Sequence, residues 1–328
     1  MAGYYIIIAD VANGRIAIGS LSFFLAVAVD IQESIRKFGS SFNGVIQSNM
    51  YFNNLTKLEE IGAEGEEPVN GCAIPEKIET IAFRHVCFSY PNAQKEALHD
   101  ISFTLHCPQS VILVGQNGSG KSTLIKLLLG FYKPTSGEIL INGTNIDRYN
   151  QEQYYSLYSV CFQDYMKYGF SFKDNIVLAN PDMEQEHFRK IVEEAQLDDI
   201  CGKLPEKEDT NLLREYDEKG VELSGGQYNR LAIARAMAKD APIVLFDEPN
   251  AALDARAEDN LFAIYDRLTR DRLGIMITHR LQKAASMDMI LVLKDGELVE
   301  QGKHQQLMEQ GGEYAAMFHM QADRYGIM

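Results

Sequence analysis

The feature that most constrains this chain is a glycine-rich segment, Gly115–Ser122, which directly follows the apolar run Val111–Val114. The segment satisfies the pattern G-x-x-x-x-G-K-[ST], and the run from Leu124 to Leu129 then continues as a helix. A strand, such a loop and a helix in this order predict a phosphate-binding loop, because glycines let backbone N–H groups surround phosphate oxygens at a helix N-terminus. The region is therefore expected to be α/β.

The side chains of this loop predict a nucleoside triphosphate and Mg²⁺ as ligands. We expect the Lys121 ammonium to contact the β- and γ-phosphate oxygens, the Ser122 hydroxyl to bind Mg²⁺, and Thr123 to reach the α-phosphate. The predicted nucleotide-binding residues of the loop are Gly115, Gln116, Asn117, Gly118, Ser119, Gly120, Lys121, Ser122 and Thr123.

An acidic element follows further along the chain. The apolar run Ile243–Phe246 predicts a buried strand, and the carboxylates of Asp247 and Glu248 emerge at its end. Asp247 is expected to hold Mg²⁺. Glu248 is expected to be the general base that polarises the attacking water, a role that typically accelerates a reaction by about 10²–10⁴-fold.

The pentapeptide Leu223–Gln227 reads LSGGQ and precedes an alanine-rich helical run. Its serine and glycines predict a second helix N-terminus that binds an anion. With this segment the chain resembles the ATP-binding cassette (ABC) family. The resemblance implies that Ser224, Gly225, Gly226 and Gln227 bind the γ-phosphate of an ATP molecule held by a partner cassette, so that two cassettes clamp two nucleotides.

Three further residues carry the resemblance. Tyr90 is similar to the aromatic residue that stacks on adenine, and Gln163 resembles the glutamine that touches Mg²⁺ and senses the transport domain. His279 resembles the switch histidine that bonds the γ-phosphate. The predicted catalytic residues are thus Glu248, His279 and Gln163, and the predicted metal ligands are Ser122, Gln163 and Asp247.

The resemblance extends over about residues 78–320 and points to exporters. Asp254 lies in a segment similar to the loop that crosses between cassettes and is expected to contact nucleotide, although Asn250 and Ala251 stand where threonine and serine are usual. The segment before LSGGQ resembles that of exporters, although Asp217 replaces the usual glycine.

The predicted domain order begins with part of a membrane domain over residues 1–61. A linker rich in glycine, acidic residues and proline follows over 62–77, and the cassette occupies 78–322. Alternating short apolar and longer amphipathic runs predict an α/β cassette with a largely parallel sheet. The resemblance implies a P-loop NTPase fold, with an antiparallel β subdomain and a helical subdomain besides this core.

The last membrane helix is expected over about residues 16–53. The run Ile16–Val29 is apolar and uncharged, yet it is shorter than the about 20 residues that a membrane span requires. Extending it to Ile35 supplies the length but brings in Asp30 and Glu33 near one end, where charges are tolerated. A buried or interfacial helix is the alternative.

Composition argues against two other kinds of site. The formal net charge of −15 repels a phosphate backbone, so no nucleic-acid partner is predicted. The five cysteines include no C-x-x-C pair, which gives no support for a zinc site.

These observations predict the ATP-binding and ATP-hydrolysing subunit of an ABC exporter. Its partners would be a second cassette, identical or different, and a membrane-spanning domain or subunits in the lipid bilayer. The expected location is the cell membrane, with the cassette on the cytoplasmic side. Two alternatives are a soluble ABC ATPase acting on DNA or ribosomes, and a truncated fragment that cannot transport. The cargo stays open among peptide, lipid and drug, since membrane helices would select it.

Overall fold

A computed structural model describes residues 9–10, 12–14, 18–64, 71–248 and 255–325 of the chain. Two compact units divide the chain, residues 1–67 and residues 68–328.

The first unit consists mainly of one long helix, α1, at Ile18–Glu64. Its 47 residues correspond to a length of about 70 Å. The structure is thus helical over the predicted bounds from Ile18 onward and continues past residue 53 to Glu64; residues 16 and 17 lie outside the described part, and the membrane role stays a prediction. Large apolar side chains such as Phe38 and Phe42 are exposed along it. Among the described helices, none combines the length and the apolar composition needed to cross a bilayer.

The second unit is built around a six-stranded sheet in the order β10-β9-β3-β8-β7-β6. Its strands β9, β3, β8, β7 and β6 run parallel, and β10 pairs antiparallel with β9 at one edge. The strand bounds are β3 Gln109–Gly115, β6 Tyr158–Cys161, β7 Ile243–Asp247, β8 Leu273–Ile277, β9 Met289–Lys294 and β10 Glu297–Gly302.

A four-stranded antiparallel sheet lies in the same unit, in the order β2-β1-β4-β5. Its strands are β1 Thr80–Phe88, β2 Leu98–His106, β4 Ser136–Ile141 and β5 Thr144–Asn145. The largely parallel sheet and the separate antiparallel sheet agree with the predicted fold class.

Helices connect and cover the strands. They are α2 Lys121–Leu128, α3 Gln151–Ser156, α4 Phe172–Val177, α5 Gln185–Glu194, α6 Asp198–Lys203, α7 Gly225–Ala238, α8 Ala255–Leu268, α9 His304–Gln310 and α10 Glu313–Tyr325. Helices α4 to α7 supply much of one hydrophobic core, and α2 with the antiparallel sheet supplies much of the other.

The parallel sheet separates these two cores because successive side chains of a strand point to opposite faces. In β3, Ile112 and Val114 belong to one core, whereas Val111 and Leu113 belong to the other. Both faces are therefore covered, which explains why the parallel strands are continuous apolar runs in the sequence.

The topology brings distant polar residues to one edge of this sheet. Strand β3 ends at Gly115, β7 ends at Asp247, and β8 ends two residues before His279. Because these strands are parallel, their carboxyl ends lie at the same edge, where ligands bind in open α/β sheets.

Candidate active site

The phosphate loop opens into a cleft of roughly 1180 Å³ within the second unit. Ten of its lining residues were predicted as site residues: Tyr90, Asn117, Gly118, Gly120, Lys121, Ser122, Thr123, Gln163, Glu248 and His279. Six others line it without having been predicted: Lys95, Glu96, Ala97, His99, Asp295 and Gly296.

Close packing leaves no room for a side chain at two glycines of the loop. A Cβ on Gly115 would lie 2.2 Å from the backbone oxygen of Leu293, and one on Gly120 would lie 2.6 Å from Cδ2 of Leu98. Gly120 is also the N-cap of α2, with a φ of 104° that favours glycine. The first-turn N–H groups of α2 have no acceptor within the helix, which suits them to bind an anion.

Lys121 is enclosed by the loop that precedes it. Its side chain is 5% exposed, and its ammonium donates hydrogen bonds of 2.9 Å to the backbone oxygens of Gly115 and Gln116. Burial lowers the pKa of Lys121, while the carboxylates of Glu248 and Asp247 act in the opposite direction. The carbonyl contacts hold the positive charge inside the loop, close to the acidic end of β7.

Asp247 is the carboxylate at the end of β7. Burial, and then the neighbouring Glu248 charge, raise the pKa of Asp247 to about 6, against the opposing effect of Lys121 and Lys126. Its Oδ1 is buried without a hydrogen-bond partner among the described residues. An orphaned carboxylate oxygen with the Ser122 hydroxyl in the adjoining cleft fits Mg²⁺, which takes oxygen ligands and binds through one or two carboxylates plus phosphates.

Glu248 and His279 form a polar contact in the lining of the cleft. Oε1 of Glu248 lies 2.7 Å from Nε2 of His279. The backbone of Glu248 adopts a φ of 45°, a left-handed conformation that is unusual for glutamate, and its N–H donates to the oxygen of Ile277 at 3.0 Å. This local strain occurs where the chain leaves β7, and strained backbone of this kind clusters at functional sites.

Tyr90, near the start of the second unit, is the aromatic residue of the cleft lining. Its hydroxyl is 3.1 Å from Oγ1 of Thr123. Its ring packs edge-on against Phe88 and Tyr132, with centroid distances of 4.9 Å and 5.3 Å. Lys126 places its ammonium 5.8 Å from the Tyr90 centroid. The Thr123 contact ties this aromatic ring to the phosphate loop.

The LSGGQ segment forms a different helix N-terminus. Ser224 caps α7 by accepting from the Gln227 N–H at 3.4 Å, and the Gln227 side chain accepts from the Ser224 N–H at 2.7 Å. This reciprocal pair is a capping box. Ser224 and Gly225 are exposed, and the described cleft lining does not include residues 224–227. Gly226 and Gln227 are half-buried.

The loop after β6 links Gln163 in the cleft to α7. The Tyr165 hydroxyl donates to the Gly225 oxygen at 2.7 Å. Arg235 of α7 donates to the Met166 oxygen at 3.2 Å and lies 4.6 Å from the centroid of the Tyr168 ring. The sequence predicts a role for Gln163 alone in this loop, since such side-chain contacts depend on tertiary packing.

Two of the additional lining residues come from a turn that packs against the phosphate loop. Asp295 and Gly296 form the two-residue turn between β9 and β10, an Asp-Gly pair that is a recognisable hairpin signal. The Gly296 N–H donates to the Ser119 oxygen at 3.2 Å, and the Gly296 oxygen accepts from the His99 N–H at 2.8 Å. The turn was visible in the sequence, but its place behind the loop was not. Asp254, also predicted for the site, lies outside the described residues.

Comparison with known proteins places these features in a family. Residues 98–251 match the family model described as ABC transporter. The chain is 34% identical to the subtilin transport ATP-binding protein SpaT of Bacillus subtilis, over 93% of this chain and 50% of that protein. It is 33% identical to the β-(1→2)glucan export ATP-binding/permease protein NdvA of Rhizobium etli, over 94% of this chain and 51% of that protein.

A solved structure gives the same result in three dimensions. The structure of a bacterial Atm1-family ABC exporter with ATP bound superposes with a TM-score of 0.76 and 30% sequence identity, covering 98% of this chain and 55% of that chain. The chain spans about half the length of the curated relatives named above. Residues 98–251 therefore carry an ABC transporter domain, and most of the chain is similar to part of the transport and export ATP-binding proteins named above.

Proposed function

We propose that this chain binds MgATP and hydrolyses it in a dimer of two cassettes, and that hydrolysis powers export across the cell membrane. The proposal is carried by one observation, the 2.7 Å contact between Glu248 and His279 inside the cleft opened by the phosphate loop. A carboxylate beside a phosphate-binding loop can take a proton from water, which is the step that hydrolysis needs.

In the proposed reaction, Glu248 removes the proton from the water that attacks the γ-phosphate. His279 holds the Glu248 carboxylate in place and bonds the γ-phosphate. Lys121 neutralises charge on the β- and γ-phosphate oxygens, and the N–H groups at the start of α2 bind the same phosphates. Catalysis in such sites comes mostly from positioning and electrostatic stabilisation.

Asp247, Ser122 and Gln163 would hold Mg²⁺. Bound there, the ion would neutralise charge that develops on the phosphate oxygens. The adenine ring is assigned to Tyr90, whose contact with Thr123 connects base and phosphate recognition. The bound ATP in the related exporter structure supports a nucleotide as the occupant.

The proposed dimer uses the exposed N-terminus of α7. Ser224 and Gly225 would cap the γ-phosphate of ATP held on the partner cassette. Their exposure supports this assignment, because a site completed by a partner must be open in a single chain. Asp254 is assigned to the crossing between cassettes by its sequence context alone.

Membrane attachment is assigned to the first unit together with a membrane-spanning domain, leaving the cassette on the cytoplasmic side. The exposed apolar side chains of α1 support burial against a partner or lipid. The relatives named above favour export over a soluble ABC ATPase that acts on DNA or ribosomes. Their names differ in cargo, and the proposal therefore concerns the ATPase rather than a particular substrate.

The decisive experiment is Glu248→Gln in the full chain, purified in detergent. We expect MgATP binding to be retained, hydrolysis to fall by about 10²–10⁴-fold, and an ATP-dependent dimer to accumulate in size-exclusion chromatography with light scattering. Glu215→Gln, an exposed glutamate outside the cleft lining, is the matched control and should hydrolyse ATP at the wild-type rate. Wild-type turnover by Glu248→Gln would refute the assignment of the base.

A further inference from the structure

A side chain of the last described helix reaches the segment that carries His279. The amide of Gln321, on α10, donates to the backbone oxygen of His279 and accepts from the Leu281 N–H at 3.0 Å. Leu281 is the first residue of a short 3₁₀ helix, Leu281–Ser286, whose N-cap Arg280 supplies no side-chain cap. A first-turn N–H has no acceptor within its own helix, and Gln321 provides one from another element.

Helix α10 is itself anchored at its beginning. The Glu300 carboxylate accepts from the N–H groups of Glu313 and Tyr314 at 2.6 Å and 3.0 Å. The Tyr314 side chain is fully buried and its hydroxyl lies 2.7 Å from Nδ1 of His304. A Cβ on Gly312 would collide with the Glu300 carboxylate, so the glycine keeps room for this cap. The first turn of α10 is therefore fixed to β10 and α9.

The anchored residue Tyr314 and the residue that reaches His279, Gln321, lie on one face of α10. Tyr314, Phe318 and Gln321 are spaced four and three residues apart, which places them on the same side of a helix. Phe318 packs partly buried against the core that contains Tyr314. A rise of about 1.5 Å per residue puts Gln321 roughly 10 Å from Tyr314 along the helix axis. The packed helix thus holds Gln321 at a set position beside the His279 segment.

We infer that Gln321 is a positioning residue for ATP hydrolysis: through the backbone of His279 it fixes the Nε2 atom that lies 2.7 Å from the Glu248 carboxylate. This inference rests on the proposed function of Glu248 and His279. Gln321 lies outside the residues matched by the family model, which end at position 251. Gln321 is not itself a lining residue of the cleft, and its hydrogen bonds are with the segment 279–281.

The test compares Gln321→Met, which keeps side-chain length and helix propensity, with Met320→Gln, a matched change at a neighbouring exposed position. In the full chain we expect Gln321→Met to lower kcat by about three- to tenfold, as for one or two lost hydrogen bonds. The KM for MgATP should stay within about twofold, since the phosphate loop is untouched. Met320→Gln should match the wild type.

Two further readouts separate positioning from general loss of structure. In a His279→Ala background, Gln321→Met should cause no additional loss of rate, because the residue acts through His279. In the nucleotide-free protein, hydrogen exchange of peptides covering 279–286 should rise in Gln321→Met and stay unchanged in Met320→Gln. Gln321→Glu, which keeps the acceptor for Leu281 but cannot donate to His279, replaces Gln321→Met if that variant fails to fold.

The inference is overturned if kcat is unchanged, if the loss of rate is equally large in the His279→Ala background, or if exchange over 279–286 does not increase. Failure of the proposed function gives a different result. In that case the wild type does not hydrolyse ATP, or Glu248→Gln hydrolyses it normally, and the exchange measurement still decides whether Gln321 holds the segment.

Discussion

The N-termini of α2 and α7 are both preceded by glycine- and serine-containing loops, and they differ in what surrounds them. At α2, Gly120 is tightly packed against Leu98 and the adjacent Lys121 is buried beneath the loop. At α7, Ser224 is exposed and a Cβ on Gly225 would meet no atom within 4 Å. Within the chain, the N-terminus of α2 is therefore enclosed, whereas the N-terminus of α7 lies at the surface.

This difference shows how similar local chemistry can serve two roles. The loop at α2 is shaped by the chain's own strands and turns, so its glycines are required by packing. Among the described residues, none lies close enough to require the glycine at position 225. In the proposed function, a nucleotide held by the partner occupies the space beside it. Substitutions should therefore separate nucleotide binding at α2 from dimer-dependent turnover at α7.

The largest expected effect is on MgATP affinity, at the enclosed N-terminus of α2. Lys121→Met removes the buried charge that faces the phosphates in the proposed function, and truncating one partner of a buried charge pair typically costs about 2–5 kcal/mol. MgATP affinity should fall about thirtyfold or more, measured by isothermal titration calorimetry at fixed ionic strength. Lys133→Met, an exposed lysine outside the cleft lining, serves as the control. An affinity within threefold of the wild type would contradict the assigned role of Lys121.

The next largest effect is on the rate of hydrolysis, at the exposed N-terminus of α7. Gly225→Ala adds a methyl group to an empty space in the single chain, so thermal stability and MgATP affinity should be unchanged. Hydrolysis should fall on the order of tenfold to a hundredfold, because a small misplacement at a reacting centre has effects of this size. The measurement is steady-state phosphate release at a protein concentration where the wild type is fully active.

The matched substitution at α2 should behave in the opposite way. In Gly120→Ala the new Cβ would lie 2.6 Å from Leu98, and the alanine would have to keep a left-handed backbone conformation. That conformation costs about 1–2 kcal/mol before any clash. This variant should lose stability as well as binding. If Gly225→Ala were the less stable of the two, or hydrolysed ATP normally, the contrast between the two N-termini would be wrong.

The sequence was most informative where chemistry is local. The spacing from Gly115 to Ser122 predicted the strand, loop and helix that the structure contains, and the apolar run before Asp247 predicted β7. The alternation of apolar and amphipathic runs was sufficient for the parallel sheet because both of its faces are buried. By contrast, the sequence gives no signal for α3, α4 and α6, since six-residue helices are too short to show a periodicity.

Contacts between distant segments could not be predicted. The packing of Gly296 behind Ser119, and of Gln321 on His279, joins elements by single backbone atoms and leaves no spacing pattern. The stacking role assigned to Tyr90 likewise rests on its motif, whereas its edge-on packing with Phe88 and Tyr132 depends on how the strands are arranged. The exposure of Ser224 follows from tertiary packing as well, since nearby Leu223 is buried.

A smaller effect concerns the stability cost of the enclosed site. The raised pKa of Asp247, about 6 against an ordinary value of 3.8, means that the folded state binds a proton more tightly than the unfolded state. Stability is therefore lost as pH rises from about 4 to about 6, and stays lower above that range. The charged groups acting on Asp247 are Glu248 and Asp164, which raise its pKa, and Lys121 and Lys126, which lower it.

Asp247→Asn should remove this loss. In nucleotide-free protein with EDTA, the variant should differ little from the wild type at pH 4 and exceed it at pH 7.5 by about 1.5 kcal/mol, allowing for partial exposure of the carboxylate. Chemical denaturation at the two pH values measures this. Asp199→Asn, an exposed aspartate on α6, should show no such difference. Equal stabilities of Asp247→Asn and wild type at pH 7.5 would mean that the site carries no electrostatic strain.

The smallest effect tests how the open N-terminus is held. The Tyr165 hydroxyl donates to the Gly225 oxygen at 2.7 Å, and burial raises the pKa of Tyr165, so the hydroxyl keeps its proton at neutral pH. Tyr165→Phe should lower the free energy of unfolding by about 0.5–1 kcal/mol, the usual net worth of one hydrogen bond. Tyr216→Phe, 70% exposed, is the control.

If both variants unfold at the same denaturant concentration, the capping box of Ser224 and Gln227 orients the start of α7 without help from the Gln163 loop. A loss confined to Tyr165→Phe would instead make that loop part of the open N-terminus, and would connect it to the enclosed cleft through Gln163.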